Sequence, residues 1–285
     1  MEYFIYIITL ITIYAMIALS YQFSIGYTGL LNFAQVGLLG IGAYSQAILV
    51  THKVPFFEAL IISMLITGAV GFLLALPSRR IKNDYYALVT LGFMFVVNAV
   101  ILNWTDVTGG PFGISGITRP AGFSTPDNFL FLVLVIFGLM AAFSYRVMHS
   151  PFASALEAVR DDDQVAESLG KPTGKLRIVA MIISALMVGI AGALLAHFIQ
   201  FINAQVFWLD YVVFVLACVV LGGLASFWGA ITGTILLYVF TEPLRFLPLP
   251  PGVLGPLRLV MYCALLIVFV LFRPKGLMGR AQLDN

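Results

Sequence analysis

An all-α, polytopic transmembrane helical bundle is the fold class this sequence predicts, on three observations. Hydrophobic residues make up 61% of the 285 and charged residues only 10%, whereas soluble domains carry about 25% charged residues. Uncharged runs of 17 or more residues recur at Tyr3 to Ile25, Ala59 to Ser78, Tyr85 to Thr105, Asn128 to Tyr145 and Ile178 to Phe207. They show no strict alternation, so helices rather than barrel strands follow. The basic residues, finally, gather in loops. Arg79, Arg80 and Lys82 fill one; Arg146, Arg160, Lys171, Lys175 and Arg177 a second; Arg273, Lys275 and Arg280 the tail. Lys53, Arg119, Arg245 and Arg258 are left over, and this split of 11 against 4 puts the first three groups in the cytoplasm.

With those loops fixed, about nine spans follow, near 3–23, 29–50, 55–76, 84–104, 128–147, 176–198, 209–225, 227–242 and 257–272, each close to the ~20 residues that cross a bilayer. Together they form a single domain over 1–285. The first opens Met1-Glu2-Tyr3, with neither a basic region nor a small-residue cleavage site, and reads as a retained helix. The second is interrupted by glycine: residues 24–46 hold Gly26, Gly29, Gly37, Gly40 and Gly42 beside polar Tyr27, Asn32 and Gln35. Such a span either unwinds where it lines a cavity or packs tightly with its polar groups bonded to neighbours. The loop from Asp106 to Pro120 is rich in Gly and Pro and reads as a series of turns, either a plain connector or a cover. Small residues at helical spacing, Ala185, Gly189 and Ala193 on one face and Gly222, Ser226 and Ala230 on another, with Gly229 and Gly233 as a GxxxG pair, read as close-packing faces. Residues 209–242 fit two short crossings or one span plus a re-entrant piece. The stretch from Gly223 to Tyr238 echoes that from Gly29 at five of sixteen positions, a faint internal repeat.

Several chemistries find no footing here. A net charge of +2 with dispersed basic residues does not suggest nucleic acid. Cys218 and Cys263 stand apart in apolar runs and read as packing residues. His52, His149 and His197 fall on different elements, and His197, ending a span, reads as interfacial. Gly170-Lys-Pro-Thr-Gly174-Lys175 is one residue short of a phosphate loop, lacks Ser or Thr after the Lys and contains a Pro. Glu58, Asp84, Asp210 and Glu242 all lie at span ends, so the intramembrane acids of a self-powered transporter are missing. An enzyme would need a nucleophile with its base, a ligand cluster or paired acids.

The charged insert from Arg146 to Arg177 is the chain's large excursion into water. Pro151 through Arg160 predicts a helix leading out of the span, and Asp161 or Asp162 caps a second that ends at Gly170, ahead of Pro172. Val165, Ala166 and Leu169 share one face of this second helix, which suits docking into a cleft of another protein.

The stretches Gly26-Tyr-Thr-Gly-Leu-Leu-Asn-Phe-Ala-Gln-Val-Gly37, Tyr85 to Gly92, Asn103 to Gly116, Ala158-Val-Arg-Asp-Asp-Asp163, Val220 to Leu224 and Phe272 to Leu277 resemble, in order and over most of the chain, the LivM-type permeases of branched-chain amino acid ABC importers. Two departures stand out: Met94 to Asn98 where the family often has an acidic then a basic residue, and Phe112 where it often has Asn. The resemblance implies a non-enzymatic subunit in the inner membrane of a prokaryote, with loop 148–175 as the cytoplasmic coupling loop. Its implied partners are a second, LivH-type permease, two cytoplasmic ATPases that use the ATP, and an extracytoplasmic binding protein; no cofactor is implied for this chain. Glu157, Arg160, Asp161, Asp162, Ala166, Leu169 and Gly170 become the candidate coupling residues. Gly26, Tyr27, Gly29, Asn32, Gln35 and Asn98 become the candidate translocation path. Urea and short amides are alternative solutes, and an ATP-independent channel is the rival from another class.

Overall fold

The computed structural model describes residues 2–79, 81, 83–243, 251–273 and 276–279. Of the basic residues assigned to loops above, Arg80, Lys82, Arg245, Lys275 and Arg280 lie outside the described residues. The chain runs α1 (Glu2–Tyr21), a π-helical turn (Gln22–Gly26), α2 (Gln35–Thr51), α3 (Phe56–Ala75), α4 (Asn83–Asn103), one-turn α5 (Thr105–Thr108), α6 (Pro126–Met148), α7 (Pro151–Asp161), α8 (Asp163–Ser168), α9 (Thr173–Ile199), α10 (Leu209–Gly222), α11 (Phe227–Thr241) and α12 (Pro251–Phe272). Six of these helices are long and apolar enough to cross a membrane, and α2, α10 and α11 are shorter apolar helices. This is an all-α multi-pass membrane protein.

Helix α9 is the centre of the bundle, packed on α1, α2 and α3. It can sit there because glycine and alanine interrupt its buried face where neighbouring backbones come closest. A Cβ added to Gly42 would come 2.6 Å from the Gly189 carbonyl, and one on Gly189 would come 2.8 Å from Thr67. Lipid gives helices no hydrophobic reason to associate, so this close backbone approach supplies the attraction by dispersion. The GxxxG of α11 does the same for the α10–α11 hairpin, where a Cβ on Gly222 would overlap the Gly229 carbonyl. Gly222, Ser226 and Ala230 do not form one helix face, as their spacing suggests. The chain reverses at Gly223–Ala225 with φ of 108° and 54° at those two residues, and Ser226 instead caps α11 by accepting from Gly229 N–H at 3.1 Å.

Helix ends sort the molecule into two poles. At one pole lie the break after α1, the α10–α11 reversal, α7 and α8, and Arg79, Arg146, Arg160, Arg177 and Arg273. At the other, the loop after α4 holds one helical turn and a two-residue strand, β1 (Ile114–Ser115), antiparallel to β2 (Phe201–Ile202). That loop is a cover rather than a connector. His197, expected at an interface, is buried, with Nδ1 2.7 Å from the Thr118 carbonyl and Nε2 3.1 Å from the Gln46 amide. A carbonyl only accepts, so Nδ1 carries the proton and His197 pins the loop over the end of α9.

The glycine contacts generate a stability prediction. Gly222→Ala and Gly42→Ala each lower stability by about 1–3 kcal/mol through overpacking, whereas Gly138→Ala, which meets open space, shifts it by less than about 0.5 kcal/mol. Thermal unfolding of the purified variants in one detergent compares them directly.

Candidate functional site

The second span does not begin as a helix at residue 29. After Gly26 the backbone leaves helical geometry and resumes it only at Gln35. The break is buried within the bundle, so each peptide group it frees must find a partner in the protein. The partners are the very polar residues that make the segment unusual. Tyr21 Oη donates to the Asn32 carbonyl at 2.6 Å, Asn32 Oδ1 accepts from Ala34 N–H at 3.0 Å, and Asn32 Nδ2 donates to Ser24 Oγ at 2.9 Å. Thr28 donates to the Ser24 carbonyl, and Thr90 Oγ1, from α4, accepts from Phe33 N–H at 3.1 Å. Gln35 closes the network by donating to Ser20 Oγ at 2.8 Å and accepting from Ser184 Oγ of α9 at 3.2 Å.

A second break lies against the first. Gln22, from the π-helical turn, donates to the Gly223 carbonyl at 2.9 Å and accepts from Ala225 N–H at 3.0 Å. One buried side-chain amide thus replaces the missing helical bonds of the α10–α11 reversal. The reversal therefore lies against the turn that precedes the first break, and Gly29 and Gly223, aligned in the sequence echo, both adopt positive φ.

The insert reaches the same place. Helix α7 buries Ala153, Leu156 and Val159 against the bundle, and Arg160 in its last turn is largely covered. Arg160 donates to the Gly26 carbonyl at 2.9 Å and pairs with Asp161 at 3.0 Å. Its stem lies over Gly29, where a Cβ would come 2.6 Å from Arg160 Cγ. Asp162 caps α8, accepting from Gln164 and Val165 N–H at 2.9 and 3.0 Å, and Gly170 follows with φ 78°. Asp163 is paired at 2.7 Å with Arg177 of α9. A cleft of about 540 Å³ opens beside this junction, walled by Arg79, Asp84 and residues 159–164.

The structure brings together Gly26, Tyr27, Gly29, Asn32, Gln35 and Arg160. It sets Asn98 apart on α4, donating to the Ala204 carbonyl at 2.8 Å. Tyr27 is buried and stacked on Phe23, and Asn32 and Gln35 are buried within their network. Glu157 is half-buried, while Asp161, Asp162 and Gly170 are exposed. On α8 the expected shared face splits: Ala166 is buried, whereas Val165 and Leu169 are 53% and 73% exposed. The helix rests on its smallest residue and presents its two larger apolar ones outward. Sequence reasoning missed Ser20, Gln22, Ser24 and Ser184; their signal was polarity inside runs counted simply as uncharged.

A family model for the branched-chain amino acid transport system, permease component, matches residues 3–270. The chain is 34% identical to the high-affinity branched-chain amino acid transport permease LivM of Escherichia coli, over 97% of this chain and 71% of the relative. It is 23% identical to a probable LivM of Methanocaldococcus jannaschii, over 93% and 90%. Against the companion permease LivH of Escherichia coli it is 26% identical, over 98% and 95%. No solved structure matches.

Arg160→Ala leaves the Gly26 carbonyl without its charged donor and is expected to lower stability by about 1–3 kcal/mol. Hydrogen–deuterium exchange should rise in residues 22–34 and stay unchanged in α3 and α9. A uniform change across the bundle would contradict the local role.

Proposed function

Because the chain belongs to the branched-chain amino acid transport permease family, we propose that it is the transmembrane subunit of an ATP-binding-cassette importer carrying branched-chain amino acids inward. The observation that carries this reading is the pairing of a family match over residues 3–270 with an insert latched directly onto the broken helix. The chain makes no covalent bond in its substrate and binds no cofactor of its own. ATP is used by two cytoplasmic ATPase partners, a LivH-type permease completes the membrane pair, and an extracytoplasmic binding protein delivers solute. In this assembly nine helices cross the inner membrane of a prokaryote, with the basic pole in the cytoplasm.

Coupling then has a concrete route. Val165 and Leu169, four residues apart, form an apolar ridge on α8 of the kind a groove on a partner receives. Asp162 and Gly170 hold that ridge at fixed length. Movement of α8 passes to α7 and, through Arg160, to the carbonyl of Gly26 and the backbone at Gly29. Displacing this contact strains the network of Tyr27, Asn32 and Gln35, which has two neighbours to rearrange against, α9 and the α10–α11 reversal. A packed network of this kind switches between discrete arrangements rather than bending smoothly, as alternating access requires. Weak attraction along the path suffices, because the binding protein supplies the selectivity.

Two variants separate docking from transmission. Leu169→Asp is expected to lower leucine uptake at least about tenfold and to lose ATPase subunits on purification, since a charge placed in an apolar contact costs more than the 1.4 kcal/mol of one decade. Arg160→Gln should keep the ATPases bound and still lose uptake. Leucine flux through liposomes holding this chain alone, without ATP, would overturn the importer reading.

A further inference from the structure

A cavity of about 410 Å³ opens toward the pole opposite the insert, between α1, α10, α11 and α12. Along α1 it runs from Tyr6 past Leu10 to Tyr14, a descent of about 12 Å at 1.5 Å per residue. It therefore reaches from the membrane surface well into the hydrocarbon zone. Three charges line it: Asp210 in the first turn of α10, Glu242 just past α11, and Arg258 on α12. Arg258 Nη2 lies 4.0 Å from a Glu242 oxygen, and Tyr3 donates to the other Glu242 oxygen at 2.7 Å. The Arg258 Nε is buried without an acceptor, while the Arg258 side chain as a whole is 35% exposed, and the Tyr211 hydroxyl of the same cavity approaches that of Tyr14.

The 4.0 Å contact with Glu242 is at the outer limit of an ion pair and leaves the exposed part of the Arg258 guanidinium able to take a second acceptor. The cavity wall is also aromatic, with Phe214 4.8 Å from the Tyr14 ring and 5.2 Å from the Tyr262 ring. We propose that this cavity receives the free α-amino acid zwitterion as it enters the membrane. Its carboxylate meets the exposed part of the Arg258 guanidinium, its ammonium meets Asp210, and its aliphatic side chain lies against Tyr14, Phe214 and Tyr262. The volume falls in the lower part of the range for small-ligand sites, about 300–1,000 Å³, and a forked guanidinium is the group that best matches a carboxylate. Urea and short amides carry no charge for either end of the cavity.

This inference rests on the reading of the chain as an amino acid permease and deepens it, and its test is separate from uptake. In the assembled transporter carrying Cys263→Ser, Thr241→Cys places a thiol in the cavity wall. A small charged thiol reagent added from outside should label it. Leucine at twice its dissociation constant should slow labelling about threefold, while leucinol, 4-methylpentanoate and urea at equal concentration should not. Arg258→Gln should abolish the protection and Arg258→Lys should restore part of it. Tyr6→Cys serves as a second position should the first variant not assemble. Absence of labelling at both positions, labelling indifferent to leucine, or protection by urea alone would each overturn the assignment. If the parent transporter takes up leucine and shows no protection, the cavity assignment fails while the importer reading stands.

Discussion

A peptide group buried in the bundle has no water to bond, and that constraint governs this structure where the chain breaks its helices. It departs twice at the basic pole, at residues 27–34 and at 223–226. Each departure persists because side chains stand in for the missing helical bonds: Tyr21, Asn32 and Thr90 at the first, Gln22 at the second. The breaks are thus held by a small set of amides and hydroxyls. Those same groups tie α1, α4, α9 and the α10–α11 reversal to one another, so the breaks also act as the joint of the bundle.

Much of the architecture was legible because hydrophobic length is a local property. The uncharged runs correspond to the long helices, and the insert's two helices follow from Pro151, the Asp162 cap and Gly170. The start of the second span was not legible, because whether residues 29–34 coil depends on partners as distant in sequence as Thr90. The outward aim of Val165 and Leu169 was likewise hidden. Two apolar residues on a six-residue helix and a third just after it do not say which one faces the bundle, and tertiary contact chose Ala166. Tyr27, Asn32 and Gln35 were singled out for polarity, and all three are buried, the latter two with their amides hydrogen-bonded. Their companions Gln22 and Ser184 escaped because a single polar residue in a long apolar run carries little periodic signal.

The two poles divide the work in physical terms. The basic pole is built of hydrogen bonds between rigid helices and broken backbone, an arrangement with few alternatives and therefore suited to transmitting displacement. The opposite pole is covered by a loop pinned through a neutral His197 and by short strand pairing. Between them the seams of α9 with α2 and α3 bring backbones close at Gly42, Gly189 and Gly192, an approach that leaves no room for a larger side chain at those points.

The bond from Arg160 ends on a main-chain oxygen, not on a side chain. A peptide carbonyl is present whatever residue occupies position 26, so substitutions on the α1 side cannot delete the acceptor; they can only crowd it. The linkage is consequently exposed to mutational drift from one side alone, and over evolutionary time the burden of preserving it falls on a single arginine.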